Sequence, residues 1–170
     1  QVSNCRLTAF NLIKNQLTTA ETGNDTDLWL MFDIDAIDTM PEYQLTKEER
    51  ADFLTLFNQV SVEGTSTLEE HEQKIQEAWK ERDIQISGDK LSLISVYLHA
   101  LEDQARFVGH TGVLADTKEG LLFVEKYSAM DPFQATYFKD RAELKEYLLA
   151  RPDLYGDKTE LAPIIMENGN

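Results

Sequence analysis

The residue pattern of this chain changes character once, at Ser87-Gly88-Asp89, and that change limits the folds open to it. Before it, apolar residues recur every three or four positions behind helix-start signals. Asn4 to Thr19 reads as a helix with Asn4 as N-cap and Leu7, Phe10, Ile13 and Leu17 along one face. Thr46-Lys47-Glu48-Glu49 and Thr67-Leu68-Glu69-Glu70 are capping boxes that open helices running to about Asn58 and about Arg82. After the break come three runs rich in Val, Leu, Ile, Phe and Tyr: Leu91 to Leu101, Arg106 to Ala115 and Leu121 to Tyr127. Short polar breaks separate them, as in an antiparallel meander. Asp140 caps a last helix to about Ala150, ended by Arg151-Pro152, and Pro163 suits the tail Leu161 to Met166 only to an edge strand. Leu28 to Ile37 fits a short strand and a helix equally. The expected class is α+β, with N-terminal helices packed on an antiparallel sheet in a single domain over residues 1–170.

Bulk properties narrow the function. The 170 residues carry a net charge of −15, a surface that repels phosphate backbones and anionic headgroups and favours solubility or cationic ligands. Nucleic acid is therefore excluded as an expected partner. The one cysteine excludes an intrachain disulfide and a Cys-rich zinc site. The Asp33, Asp35, Asp38 spacing lacks the glycine and terminal glutamate of a calcium loop. No metal and no cofactor are expected. No apolar run is long enough to span a membrane, and with only four residues before Cys5 we expect native sequence upstream. Asn24-Asp25-Thr26 is a formal glycosylation sequon that matters only in a eukaryotic secretory context.

Chemistry centres on Cys5. At the head of a helix, unpaired N–H groups favour its thiolate, and a strand histidine, His110, would take the thiol proton. Alternation places Val108, His110, Gly112 and Leu114 on one face, and Leu121, Phe123, Glu125 and Tyr127 on one face of the next strand. A four-residue loop at Asp116 to Glu119 would set Ala115 against Gly120 and His110 directly against Glu125, which then orients the imidazole, with Gln134 as the substitute orienter. Gly112 would leave room beside the imidazole for a substrate or for the Cys5 helix. The oxyanion would be held by the Cys5 N–H and a side-chain donor such as Gln1. The plain alternative makes Cys5 a small core residue and His110 a satisfied strand histidine. His71, among Glu69, Glu70 and Glu72, reads as solvated, and His99 fits either side of its strand.

Asn4-Cys5-Arg6, Gly109-His110-Thr111-Gly112-Val113-Leu114 and Leu121-Leu122-Phe123-Val124-Glu125-Lys126 resemble the cysteine and histidine elements of papain-like amidases of the NlpC type. Those enzymes cleave peptide bonds in bacterial cell-wall peptides and commonly carry His, Asn or Gln where this chain has Glu125. Over Asn4 to about Leu149, with Asp131-Pro132-Phe133-Gln134-Ala135-Thr136 included, the chain more closely resembles the lipoproteins of Gram-positive bacteria known as domain of unknown function 4300. The resemblance implies a papain-like α+β fold and catalysis by Cys5, His110 and Glu125 on a peptide or cell-wall peptide. It also implies an extracellular, cell-surface protein held to the membrane by an anchor outside this sequence. A non-catalytic extracellular binding module on the same fold is the alternative.

Two rivals remain. Leu30-Met31-Phe32-Asp33-Ile34-Asp35 is similar to the strand and Asp-x-Asp of haloacid-dehalogenase-like phosphatases, but Ala36-Ile37 replaces the usual Gly-Thr. Cys5 as a lipid-modified cysteine lacks a preceding apolar segment and small processing residues.

Overall fold

A computed structural model describes residues 5–128, 130–154 and 159–170. The expected N-cap Asn4 and the expected oxyanion donor Gln1 lie outside the described residues. In chain order the elements are α1 (Cys5–Ile13), β1 (Leu17–Thr18), α2 (Met31–Thr39), α3 (Lys47–Phe57), β2 (Val60–Ser61), α4 (Leu68–Glu81) and β3 (Gln85–Ile86). They continue with β4 (Leu91–Ala100), β5 (Ala105–Thr117), β6 (Gly120–Lys126), β7 (Phe133–Phe138), α5 (Arg141–Leu149) and β8 (Ile164–Glu167). The class is α+β, and every strand pairing is antiparallel. The main sheet runs β7-β6-β5-β4-β8, with β2 paired to the far end of β5.

The cap signals act as their chemistry requires. Thr46 and Glu49 exchange both bonds of a capping box, Thr67 accepts the Glu70 N–H, and Asp140 accepts the Glu143 N–H. One expectation changes, one strand is added and one open choice is decided. The first helix stops at Ile13, and Leu17–Thr18 pairs with Gln85–Ile86 instead; Leu17 is buried in either conformation, so periodicity alone does not tell them apart. Phe133–Phe138 is a further strand, on the outer edge beyond β6. Leu28 to Ile37 is helical, a 3-10 turn followed by α2. The tail strand β8 lies at the opposite edge beside β4, as Pro163 requires.

Buried apolar residues form two clusters, one on each face of the sheet, because neighbours such as Leu93 and Ile94, or Val113 and Leu114, point to opposite sides. The larger joins α1 to α4 with Leu93, Tyr97, Val108 and Val113, and includes an edge-to-face Phe10–Phe53 pair at 5.4 Å. The smaller joins α5, through Leu144 and Leu148, to Val96, Leu114 and Phe123. At about 1.5–3 kcal/mol per buried large apolar side chain, these two layers clamp the sheet.

The phase of β5 shifts partway. His110 pairs with Val96, but Val108 pairs with Tyr97, so Gly109 is an extra residue at a bulge. Val108 therefore joins the larger cluster while His110 lies across from Val96 in the smaller one, correcting the expected shared face. A Cβ on Gly109 would stand 2.3 Å from the Leu98 Cδ1, so any larger residue there must push the Leu98 side chain aside.

Candidate active site

The β5–β6 turn is shorter than expected. Thr117 pairs with Gly120, leaving a two-residue loop, Lys118-Glu119. Gly120 takes φ +131°, open to glycine, so β6 starts at the turn itself. Relative to the expected pairing the register slips by two residues, which keeps every side chain on its side of the sheet. Glu125 therefore stands opposite Gly112, not His110, and reaches His110 diagonally: Nε2 and Oε1 are 2.8 Å apart. Gly112 does not leave open space, as a Cβ there would stand 2.5 Å from the Phe123 ring and 2.8 Å from the Val124 carbonyl.

Cys5 is the first residue of α1 and shares a side-chain hydrogen bond with His110. Its neighbour Arg6 secures that approach. Arg6 Nη1 donates to the Val108 carbonyl at 2.7 Å, two residues before His110. Arg6 Nε donates to Asp33 Oδ2 at 2.8 Å, and Nη2 to the Trp29 carbonyl at 3.0 Å. One guanidinium thus joins the start of the Cys5 helix, the strand carrying His110, and α2. Asp33 is fully buried in this ion pair on a helix, so the phosphatase reading of Asp33-Ile34-Asp35 is overturned: no strand carries them. Burial pushes the Asp33 carboxyl up, partly offset by Arg6.

Glu125 has no exposed surface, and its charge is met by three donors. Oε1 accepts from His110 Nε2 and from Arg151 Nη1 at 2.9 Å, while Oε2 accepts from the Tyr147 hydroxyl at 2.9 Å. Arg151 also grips Asp153 with two bonds, at 2.7 and 3.1 Å, and lies 3.8 Å over the Tyr127 ring. Arg151 Nη1 comes within 3.1 Å of His110 Nε2, but an arginine can only donate. With Nε2–H pointing at Glu125, that approach is a repulsion between two donors. Burial lowers the His110 pKa, whereas the hydrogen bonds to Cys5 and Glu125, with the negative charge of the sulfur, raise it; the net shift is upward despite Arg151. Tyr147 is pushed up to about 12, by burial and then by Glu125, and keeps its proton for the carboxylate.

Cys5, His110 and Glu125 are thus brought together, and Gln134 pairs in the ladder across from Glu125. Sequence reasoning missed Arg6, Tyr147 and Arg151. A lone glutamate in an apolar strand calls for a buried cation, and Arg151 directly after the last helix was the signal available. His71, expected in solvent, is only 1% exposed and hydrogen-bonded to Arg106. Among the described residues no group of three or more His, Cys, Asp or Glu is placed to hold a metal, and no helix is long and apolar enough to cross a membrane.

No curated protein and no solved structure matches the chain. A family model does, over residues 1–170, and it covers the Cys5 helix, the His110 strand and the Glu125–Arg151 network alike: the chain belongs to the family described as domain of unknown function (DUF4300).

Proposed function

We propose that this domain is a papain-like cysteine amidase or peptidase, with Cys5 as nucleophile, His110 as general base and acid, and Glu125 as orienter. The observation that carries the reading is the hydrogen bond between Cys5 and His110, on an imidazole whose Nε2 is already held by a buried carboxylate. With Nε2 engaged, Nδ1 is the nitrogen that can take the thiol proton. The sulfur then attacks the amide carbonyl, and the carbonyl electrons move to oxygen. The Cys5 N–H, at the head of α1, faces the oxyanion. Collapse expels the amine, which takes its proton from His110 and leaves a thioester on Cys5; water, deprotonated by His110, releases the acid. Glu125 keeps the imidazolium oriented, while Arg151 and Tyr147 hold the carboxylate still. By resemblance to NlpC-type amidases, the substrate class is a cell-wall peptide and the site of action the outer surface of a bacterium, with the membrane anchor outside this sequence.

A second reading, a non-catalytic binding module on the same fold, is favoured by one fact: Cys5 is only 2% exposed. Thiol labelling separates the two. In the amidase, native Cys5 reacts with iodoacetamide well below the ordinary thiol midpoint near pH 8.5, and His110→Ala slows the reaction. Cys5→Ser and His110→Ala each abolish turnover of cell-wall peptides, and the double variant is no worse than either. A thiol inert until the protein unfolds assigns Cys5 to the core.

A further inference from the structure

On the face of the sheet covered by α4, three basic side chains meet with no carboxylate in ion-pair contact among the described residues. Arg106 of β5 and His99 of β4 are cross-strand partners, and His71 comes from α4. The Arg106 side chain is fully buried. Its Nε donates to His71 Nδ1 at 2.9 Å, and its Nη1 to the carbonyls of Tyr97 at 3.1 Å and Ala162 at 2.9 Å. Nη2 is buried with no hydrogen-bond partner, and no ion pair to Arg106 occurs among the described residues. In a chain of net charge −15, a sealed arginine that feels Glu160 only through space and holds no ion pair among the described residues is unusual.

The hydrogen bonds also dictate what the two histidines present. A guanidinium has no lone pair to offer, so His71 Nδ1 is the acceptor and its ring proton sits on Nε2. His99 Nδ1 accepts from the Leu161 N–H at 2.9 Å, which places its proton on Nε2 as well. Both rings are therefore N–H donors at Nε2, the opposite of what a metal ligand offers. They pack edge to face at 5.0 Å and line a cavity of about 390 Å³ together with the polar Thr65, Ser66 and Gln104 and the apolar Leu101 and Leu161.

We propose that this cavity binds a small organic carboxylate, whose oxygens meet the two Nε2–H donors in front of the Arg106 guanidinium and whose carbon chain lies on Leu101 and Leu161. The buried Arg106 guanidinium bonded to His71 favours an anion at the rings, and the volume lies in the range of small-molecule pockets. The electrostatics agree. Burial, then Arg106 and His99, hold His71 down to about 4 against the opposing pull of Glu70. Burial and Arg106 also lower His99 against Glu160, and burial brings Arg106 down to about 10, again against Glu160. Burial leads each shift, and a bound carboxylate opposes all three. This inference is independent of the amidase reading: it rests on the α4 side of the sheet and not on Cys5.

The chain's three histidines give the readout, since two line the cavity and His110 does not. Hexanoate and its neutral counterpart hexanamide are the probes, followed by side-chain NMR of histidine-labelled protein at neutral pH. Hexanoate shifts His71 and His99 saturably and leaves His110 unmoved, and hexanamide shifts neither. At saturation the His71 midpoint moves up. Ser66 is exposed at the cavity wall, so Ser66→Glu adds a competing carboxylate without touching the core and weakens hexanoate binding about tenfold or more. Arg106→Met abolishes the response; if that variant does not fold, Ser66→Glu decides alone. Equal shifts from hexanamide, unchanged binding in Ser66→Glu, or saturation by inorganic phosphate at lower concentration than hexanoate would overturn the assignment.

Discussion

Strand β5 feeds two clusters built from the same ingredients, and they behave oppositely. Around His110, the buried guanidinium of Arg151 is offset by Glu125 and Asp153, and the histidine pKa moves up. Around His71, the buried guanidinium of Arg106 has no carboxylate partner among the described residues, and the histidine is held down to about 4. His71 and His110 are 1% and 2% exposed, so burial does not separate them. The sign of the buried charge beside each ring does. A buried histidine among acceptors holds its proton more tightly, and one among donors holds it less tightly.

The contrast can be broken most directly at the two arginines. Arg151→Met leaves Glu125 buried with too few donors and is expected to cost about 3–5 kcal/mol. Arg106→Met removes a buried charge that has no ion pair among the described residues and leaves only neutral acceptors unpaired, at about 1–3 kcal/mol. Urea unfolding of both variants measures the difference, and equal costs would mean that the two arginines are equivalent after all.

The pH dependence of stability comes next and has opposite signs in the two regions. His71 has a folded pKa of about 4 against roughly 6.5 unfolded, so its contribution is complete above about 6.5 and is lost as pH falls toward 4, amounting to about 3 kcal/mol. His110 is raised, so its contribution is present below about 6.5 and disappears as pH rises through its folded pKa. His71→Gln should therefore flatten the acid limb of a urea-midpoint profile, and His110→Gln the alkaline limb. Finding both effects on the same limb would contradict the charge argument.

Smaller effects sharpen where the bulge divides the clusters. Gly112→Ala drives a methyl into the Phe123 ring and the Val124 backbone and is expected to cost about 1–3 kcal/mol. Gly109→Ala meets only the half-buried Leu98 side chain, which can swing aside, so thermal denaturation should show the lesser loss. Smallest is Tyr147→Phe, which removes one of three donors to Glu125. About 1–2 kcal/mol is expected, and the NMR-measured midpoint of His110 should move while that of His71 stays fixed.

Much of this architecture was legible before any coordinates. Thr46, Thr67 and Asp140 cap helices because a side-chain oxygen beside a helix start needs only its own next three residues. The strands from Leu91, Arg106 and Leu121 follow from short-range alternation, and Glu125 shares a side of the hairpin with His110 because a slip of two residues preserves parity. What the sequence left open depends on partners distant along the chain. The end of α1 at Ile13 is decided by β3, about seventy residues on, and the helicity of Asp33-Ile34-Asp35 by a salt bridge to Arg6. The bulge at Gly109, a register shift between β4 and β5 beside Leu98, turns Val108 and His110 to different layers. The protonation of each histidine was likewise beyond local reading, because a buried ring responds to charges within a few ångströms, and only the folded chain brings Arg151 to one and Arg106 to the other. Local propensity thus determined the elements and their order, while tertiary contact decided register, phase and charge, since those energies exist only between residues that folding makes neighbours.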